Sequence, residues 1–136
     1  MAPPKPTEAE LSILRVLWEH GPSTVREVHD RMAGTRSVAY TTTLKLMQIM
    51  TEKGLVTRED QRGRHLYRAR QSERATQRRL LIDLLDRAFG GSTAKLVVQA
   101  LASRPTSADE LREIRRLLTA AEQAGDRRSG RGESDD

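Results

Sequence analysis

Between Arg31 and Arg70 the chain sets nine Lys or Arg against three Asp or Glu, a local net charge of +6 in a protein whose total is +5. The remaining residues therefore sum to −1, and the positive charge is concentrated in one stretch. Such a stretch suits contact with phosphates, although a solvated basic surface has the same composition. Within it stand Tyr40, Thr41, Thr42, Lys45 and Gln48 in one segment, and Arg62 and Arg64 in another. Hydroxyl, ammonium and guanidinium groups bind phosphate oxygens, and Lys, Arg and Gln also reach base edges. This is the chemistry of recognition, not of bond making.

Residues for catalysis are not assembled. The chain has no cysteine, which excludes disulfides, thiolate–zinc sites and thiol nucleophiles. His20, His29 and His65 lie on separate segments without metal-ligand spacing, and no Gly-rich phosphate loop or nucleophile elbow is present. Acidic residues fall mainly at helix starts or beside Arg, where capping and solvation account for them. The expectation is a protein that is not an enzyme and takes no cofactor or metal. No apolar run approaches the roughly 18 residues of a membrane span. The opening Met-Ala-Pro-Pro-Lys-Pro lacks the apolar core of a signal peptide, so a cytoplasmic protein with no membrane insertion is expected.

The elements that must position these side chains can be read from periodicity and caps. Residues 1–6 hold three of the five prolines and read as a disordered lead-in. Thr7-Glu8-Ala9-Glu10 is a capping box. It opens a helix with Leu11, Leu14 and Trp18 on one face, widened by Ile13, Val16 and Leu17, which stops at Gly21-Pro22. Thr24 to Glu27 repeats the capping pattern and starts a short helix through Met32, buried by Val25, Val28 and Met32. A turn is expected over residues 33–36.

A third helix follows from Val38 to Lys53 and ends at Gly54. Its Thr43, Leu46, Met47 and Met50 share one side, and Thr43 is expected to bond a backbone carbonyl one turn earlier. The period then shifts to near 2. Leu55–Arg58 and Arg64–Arg68 read as strands about a loop at 59–63. Three helices and a basic hairpin in this order make a winged helix-turn-helix, with a small core anchored by Trp18. In such units the recognition helix enters the major groove while other elements grip the backbone.

Thr41 and Thr42 in the first turn of the third helix can contact phosphate or base edges, or one of them only caps the helix. Lys45 reaches phosphate or guanine. Tyr40 either lies against the sugar-phosphate backbone or packs beneath the helix, and Gln48 either reads adenine or is solvated. Arg62 and Arg64 are expected to contact phosphate or the minor groove.

The second half reads as three amphipathic helices. Leu81, Leu84 and Leu85 mark the first, ending at Gly90-Gly91; Leu96 and Leu101 lie on the second; Leu111, Ile114 and Leu118 lie on the third. About 50 residues cannot bury these faces comfortably alone, so pairing with a second copy is expected. The fold class is thus mainly α: a winged helix-turn-helix (three helices plus β-hairpin wing) over 7–70, then a small α-helical dimerisation domain over 71–124. The tail, 125–136, reads as disordered.

The blocks Leu11–Trp18, Thr24–His29, Ala39–Thr42, Glu52–Val56 and Gly63–Tyr67 together resemble the penicillinase repressor (BlaI/MecI) family across residues 7–124. The resemblance implies a homodimeric transcriptional repressor that binds double-stranded, palindromic operator DNA. It places the recognition helix on Val38–Lys53, with Thr41, Thr42 and Lys45 where relatives contact DNA and Arg62 and Arg64 in the wing. It also implies a membrane-bound sensor metalloprotease as a further partner, cleaving within the dimerisation half. Two departures stand out: Ile49 replaces an Arg found late in many recognition helices, and Gln99-Ala100 stands where the best-known members carry the Asn-Phe cleavage junction. Two other readings compete with this one. They are a winged-helix regulator controlled by a small ligand between the C-terminal helices, and a protein-interaction module that uses the winged fold without DNA.

Overall fold

The computed structural model describes residues 4–33 and 38–133. Its elements run α1 (Glu8–His20), α2 (Val25–Met32), α3 (Tyr40–Lys53), β1 (Val56–Gln61), β2 (Arg64–Ala69), α4 (Glu73–Phe89), α5 (Thr93–Ser103) and α6 (Ala108–Glu133). The first unit reaches Leu84 and the second begins at Leu85, within the single helix α4.

The capping box at Thr7 is complete. Thr7 Oγ1 accepts the Glu10 N–H at 3.2 Å and Glu10 Oε1 accepts the Thr7 N–H at 2.8 Å. Gly21 ends α1 at φ 81° and Gly54 ends α3 at φ 80°, backbone that a Cβ disfavours. At Thr24 only half of the expected box forms: its hydroxyl accepts the Glu27 N–H, while the Glu27 carboxylate pairs with Arg64 instead. Of the expected turn at 33–36, Ala33 continues the right-handed backbone of α2 and the other residues lie outside those described.

The core of the first unit is Ile13, Leu14 and Leu17 from α1, Val25, Val28 and Met32 from α2, and Met47 and Met50 from α3, closed by Leu55, Val56 and Tyr67. Leu11, Val16 and Trp18 sit half-buried at its margin. Trp18 is therefore not the core anchor expected from sequence. Its indole N–H donates to the Gln71 carbonyl at 3.0 Å, tying α1 to the segment that leads into α4. A large amphipathic ring with a polar edge suits that border position.

The hairpin is longer than its sequence suggests. β1 pairs antiparallel with β2 from Val56↔Ala69 to Gln61↔Arg64, leaving only Arg62 and Gly63 as the turn. Both have positive φ, 51° and 76°, the condition of a type I′ hairpin turn, whose twist matches the strands. The expected loop at 59–63 is thus mostly strand. Its Glu59, Asp60 and Gln61 face solvent, so no hydrophobic alternation betrays the outer rungs. An isolated antiparallel bridge joins Ser23 to Tyr67 through two backbone bonds of 3.0 and 2.8 Å, fixing the base of the wing to the entry of α2.

The described residues of the lead-in, 4–6, pack on the winged unit, and those of the tail, 125–133, are helical. Pro4 and Pro6 line a small pocket with Leu14, Leu55 and Thr76, and Lys5 pairs with Asp83 of α4. Thr76 is buried, so the early turns of α4 belong with the winged unit, which extends past the expected limit of residue 70. At the other end α6 runs on to Glu133. Ala120, Ala121, Glu122, Gln123 and Ala124 are strong helix formers, and Gly125 and Gly130, at about 1 kcal/mol each, do not stop it. Residues 134–136 lie outside those described.

In the second unit α5 starts at Ser92, whose hydroxyl accepts the Lys95 N–H at 3.2 Å. Ser107 Oγ likewise accepts the Glu110 N–H at 3.1 Å at the start of α6. No described residue of this unit is buried, in contrast to the first. None of the described helices is long and apolar enough to cross a membrane.

Candidate nucleic-acid interface

Two faces of α3 differ sharply. Thr43, Met47 and Met50 are buried, while Thr41, Thr42, Lys45 and Gln48 are exposed. Positions 41, 45 and 48 follow the i, i+4, i+7 spacing of one helix face, so the polar set forms a strip along the outer side. Ile49 is half-buried. Ala39 occupies the N-cap and offers no side-chain acceptor. The first-turn N–H groups and the positive end of the helix dipole therefore add to the attraction for an anion there.

Tyr40 sits half-buried at the start of α3. The Arg26 guanidinium lies 4.4 Å from its ring centroid, within cation–π range. The His29 ring meets it edge-on, with centroids 5.6 Å apart and planes at 86°. Thr43 is fully buried as expected, but its hydroxyl bonds His29 Nδ1 at 3.1 Å rather than a backbone carbonyl. A side-chain partner on the neighbouring helix is in reach, and the histidine needs one too.

On the wing, Arg62 and Arg64 part company. Arg62 occupies the tip, exposed and in left-handed backbone. Neither Arg62 nor Lys45 has an ion-pair partner among the described residues. Arg64 is held by the Glu27 carboxylate at 2.5 Å. Asp60 is flanked by His65 at 2.5 Å and Arg58 at 3.5 Å. The hydrogen bond from His65 is the main reason that the Asp60 carboxyl stays below its ordinary range.

Behind this surface Glu10 is 1% exposed and bonds Lys53 Nζ at 3.0 and 3.1 Å, joining the start of α1 to the end of α3. Burial works to raise the Glu10 pKa. The Thr7 backbone N–H, the Lys53 ammonium and the Thr7 hydroxyl together outweigh it, so the carboxyl sits below its ordinary value.

Sequence reasoning missed Arg26, Glu27 and His29 as partners of these elements. The signal available was their place on the polar side of a short helix; their partners lie 11 to 37 residues away. In the second unit and the end of α4, Leu81, Leu84, Leu101 and Leu118 are exposed by 43–54% of their surface, and Leu85, Leu96, Leu111 and Ile114 are half-buried. Ile82, Val97, Val98 and Leu117 are exposed with them, beyond those singled out from sequence. Gln99 and Ala100 are exposed in the middle of α5. Among the described residues no group of acids and histidines is arranged to hold a metal.

The sequence profile of the penicillinase repressor family matches residues 6–120. The chain is similar to transcriptional regulator BlaI of Mycobacterium tuberculosis, from strains CDC 1551 / Oshkosh and ATCC 25618 / H37Rv. Identity is 28% over 116 residues, 85% of this chain and 83% of the relative. Among solved structures it is similar to the monomeric form of Bacillus licheniformis BlaI in complex with the blaP half-operator. That match has 21% identity and a TM-score of 0.48, over 53% of this chain and 88% of the other. A MarR family protein from Bacillus stearothermophilus matches at 24% identity and a TM-score of 0.44, over 83% of this chain and 75% of that one. With the family profile spanning both units, from the start of α1 well into α6, the chain belongs to the penicillinase repressor family, whose members are transcriptional repressors and not enzymes.

Proposed function

We propose that the protein represses transcription as a homodimer, each subunit laying α3 in a major groove of a palindromic operator while the wing grips the flanking backbone. The carrying observation is the split of α3 into a buried side and an exposed strip of Thr41, Thr42, Lys45 and Gln48. In this reading Lys45 and Arg62 neutralise phosphates or reach guanine, and Gln48 reads a base edge. The two threonines bind at the helix start. The half-buried Tyr40 acts through its ring, beneath the helix.

The exposed leucines of α4–α6 support the dimer. Burying the exposed half of one leucine contributes about 1 kcal/mol. The eight large apolar side chains exposed among the described residues then give two copies on the order of 15 kcal/mol gross, comparable to the upper cost of association. Half-sites are expected about 10 bp, or a multiple of it, apart. DNA as partner puts the protein in the cytoplasm.

Derepression by a sensor metalloprotease is part of the same proposal, carried by the family resemblance. Gln99-Ala100 lies inside α5, so cutting there requires that helix to open. The deciding experiment is a gel shift and footprint on the promoter of the protein's own gene, with random DNA as competitor and a salt series. A discrete complex with a two-fold footprint supports the proposal. Binding abolished by random DNA leaves only a non-specific binder.

One observation favours the ligand-controlled reading. An open groove of about 740 Å³ is lined by the apolar Ala88, Phe89, Ala94 and Val98 and the polar Lys95, Gln99 and Ser103. Thermal stabilisation by small amphipathic carboxylates would support that control over proteolysis.

A further inference from the structure

The wing is a lever held at its base. Its inner rungs are anchored by the buried Val56 and Tyr67 and by the Ser23–Tyr67 bridge. From Tyr67 the strand runs outward to Arg62, roughly 16 Å at the rise of an extended chain. Every residue from Thr57 to His65 faces solvent, so nothing in the core supports the outer rungs. A pivot of about 10° at the base would move the tip by about 3 Å, enough to lose a hydrogen bond to a fixed phosphate.

Among the described residues one long-range side-chain contact reaches this outer half. The Glu27 carboxylate takes the Arg64 guanidinium at 2.5 Å, and Arg64 pairs with Gln61 on the last rung before the turn. Glu27 forgoes its capping role to do so, since the Thr24 N-cap bond is made without the return half of the box. The neighbouring residues of α2 hold the other reading element: Arg26 and His29 pack on Tyr40, and His29 bonds Thr43. Arg31 donates to the Ser23 hydroxyl at 3.3 Å, beside the bridge to the wing. The polar side of α2 thus touches both α3 and the wing.

We propose that Glu27 is a positioning residue: through Arg64 it fixes the outer wing relative to α2, and through α2 to the start of α3, so that both engage DNA in one geometry. Arg64 is then a clasp, not a phosphate ligand. The inference rests on the reading that α3 and the wing contact DNA.

The test compares the full chain with Glu27→Gln, Arg64→Gln and the charge swap Glu27→Arg with Arg64→Glu. Half-exposed ion pairs contribute little to stability, so all are expected to fold, which circular dichroism checks. Each is titrated onto the footprinted duplex from its own promoter and onto a random duplex. Hydrogen exchange of residues 58–65 is followed without DNA. Both single variants are expected to lose about tenfold in specific affinity with little change on random DNA, and to exchange faster in the outer wing. The swap is expected to restore both to within about threefold. Tighter DNA binding by Glu27→Gln would show that Glu27 only masks a phosphate-binding Arg64 and would overturn the proposal. Loss by Arg64→Gln that the swap does not rescue would overturn it too. Exchange unchanged in Glu27→Gln refutes the clasp whatever the DNA result. Faster exchange in both single variants, reversed by the swap, supports the clasp even if the wild type binds neither duplex. That last result would fail the DNA-binding reading instead.

Discussion

Arg62 holds the tip of the wing in a conformation that an ordinary side chain resists. At φ 51° it occupies left-handed backbone, which costs a residue with a Cβ roughly 1–2 kcal/mol. Asn relieves much of that strain, and Arg62→Asn also creates Asn-Gly, the preferred pair for this turn. The variant is expected to be more stable by about 0.5–1 kcal/mol. For a domain of this size that raises the melting temperature by roughly 2–8 °C. DNA affinity is expected to move the other way. Losing one charge-assisted bond per wing removes on the order of 1 kcal/mol, about fivefold each, hence roughly 25-fold for a dimer. Two phosphates fewer also flatten the plot of log affinity against log salt by about 1.8. Thermal melts and anisotropy titrations on the promoter duplex between low and moderate salt measure both quantities. A variant that melts lower would show that Arg62 is not strained where it stands. A salt slope equal to that of the wild type would show that the tip touches no phosphate.

Four further variants have outcomes that follow from the same geometry. Leu84→Asp places a charge on an exposed apolar stripe of α4 and is expected to turn a dimer into monomers in analytical ultracentrifugation while the winged unit keeps its melting transition. Glu10→Gln keeps a capping partner for Thr7 but loses the charge facing Lys53. It is expected to destabilise the winged unit by on the order of 1–2 kcal/mol at neutral pH, measured by urea denaturation. Because the folded pKa of Glu10 is lowered, its contribution is full above the ordinary carboxylate range and vanishes as pH falls through the folded value; the difference between wild type and variant should close on acidification, and a constant gap would refute the linkage. Lys45→Ala is expected to weaken specific and random duplexes alike, whereas Gln48→Ala should reduce discrimination at one base position by a factor of ten or more, as read by competition with substituted operators.

Local signals carried far. The capping box at Thr7, the glycines at 21 and 54 and the apolar period of α1 to α3 act within a few residues, and each is found where the sequence puts it. The exposed strip on α3 follows from the same periodicity once Thr43, Met47 and Met50 are assigned inward. Contacts across sequence were not legible. Nothing near Glu27 distinguishes a carboxylate that caps its own helix from one that crosses to Arg64. The outer rungs at Glu59 to Gln61 escaped notice because a strand exposed on both faces has no period to detect. Trp18 was read from its place on the apolar face of α1, and its N–H needed a partner that only the folded chain supplies at Gln71. The tail was read as disordered from its charged, Gly- and Ser-containing composition, whereas the helix formers at 120–124 carry α6 past Gly125 to Glu133.

The two halves of the chain satisfy themselves differently, and this bears on control. Every buried side chain among the described residues lies between Glu10 and Thr76, so the winged unit closes its core without a partner and can keep the proposed DNA-reading surface as a monomer. The helices beyond it leave Leu84, Val98, Leu101, Leu117 and Leu118 in water, and under the proposed dimer they gain their core only from a second copy. A monomer then keeps every contact of one half-site yet loses the effective concentration that the second half-site provides, typically 10²–10⁴ in affinity. Occupancy of the operator becomes a function of an interface remote in sequence from α3. Any event that opens α4–α6, whether cleavage in α5 or a ligand in its groove, can release DNA without altering a single residue that touches it.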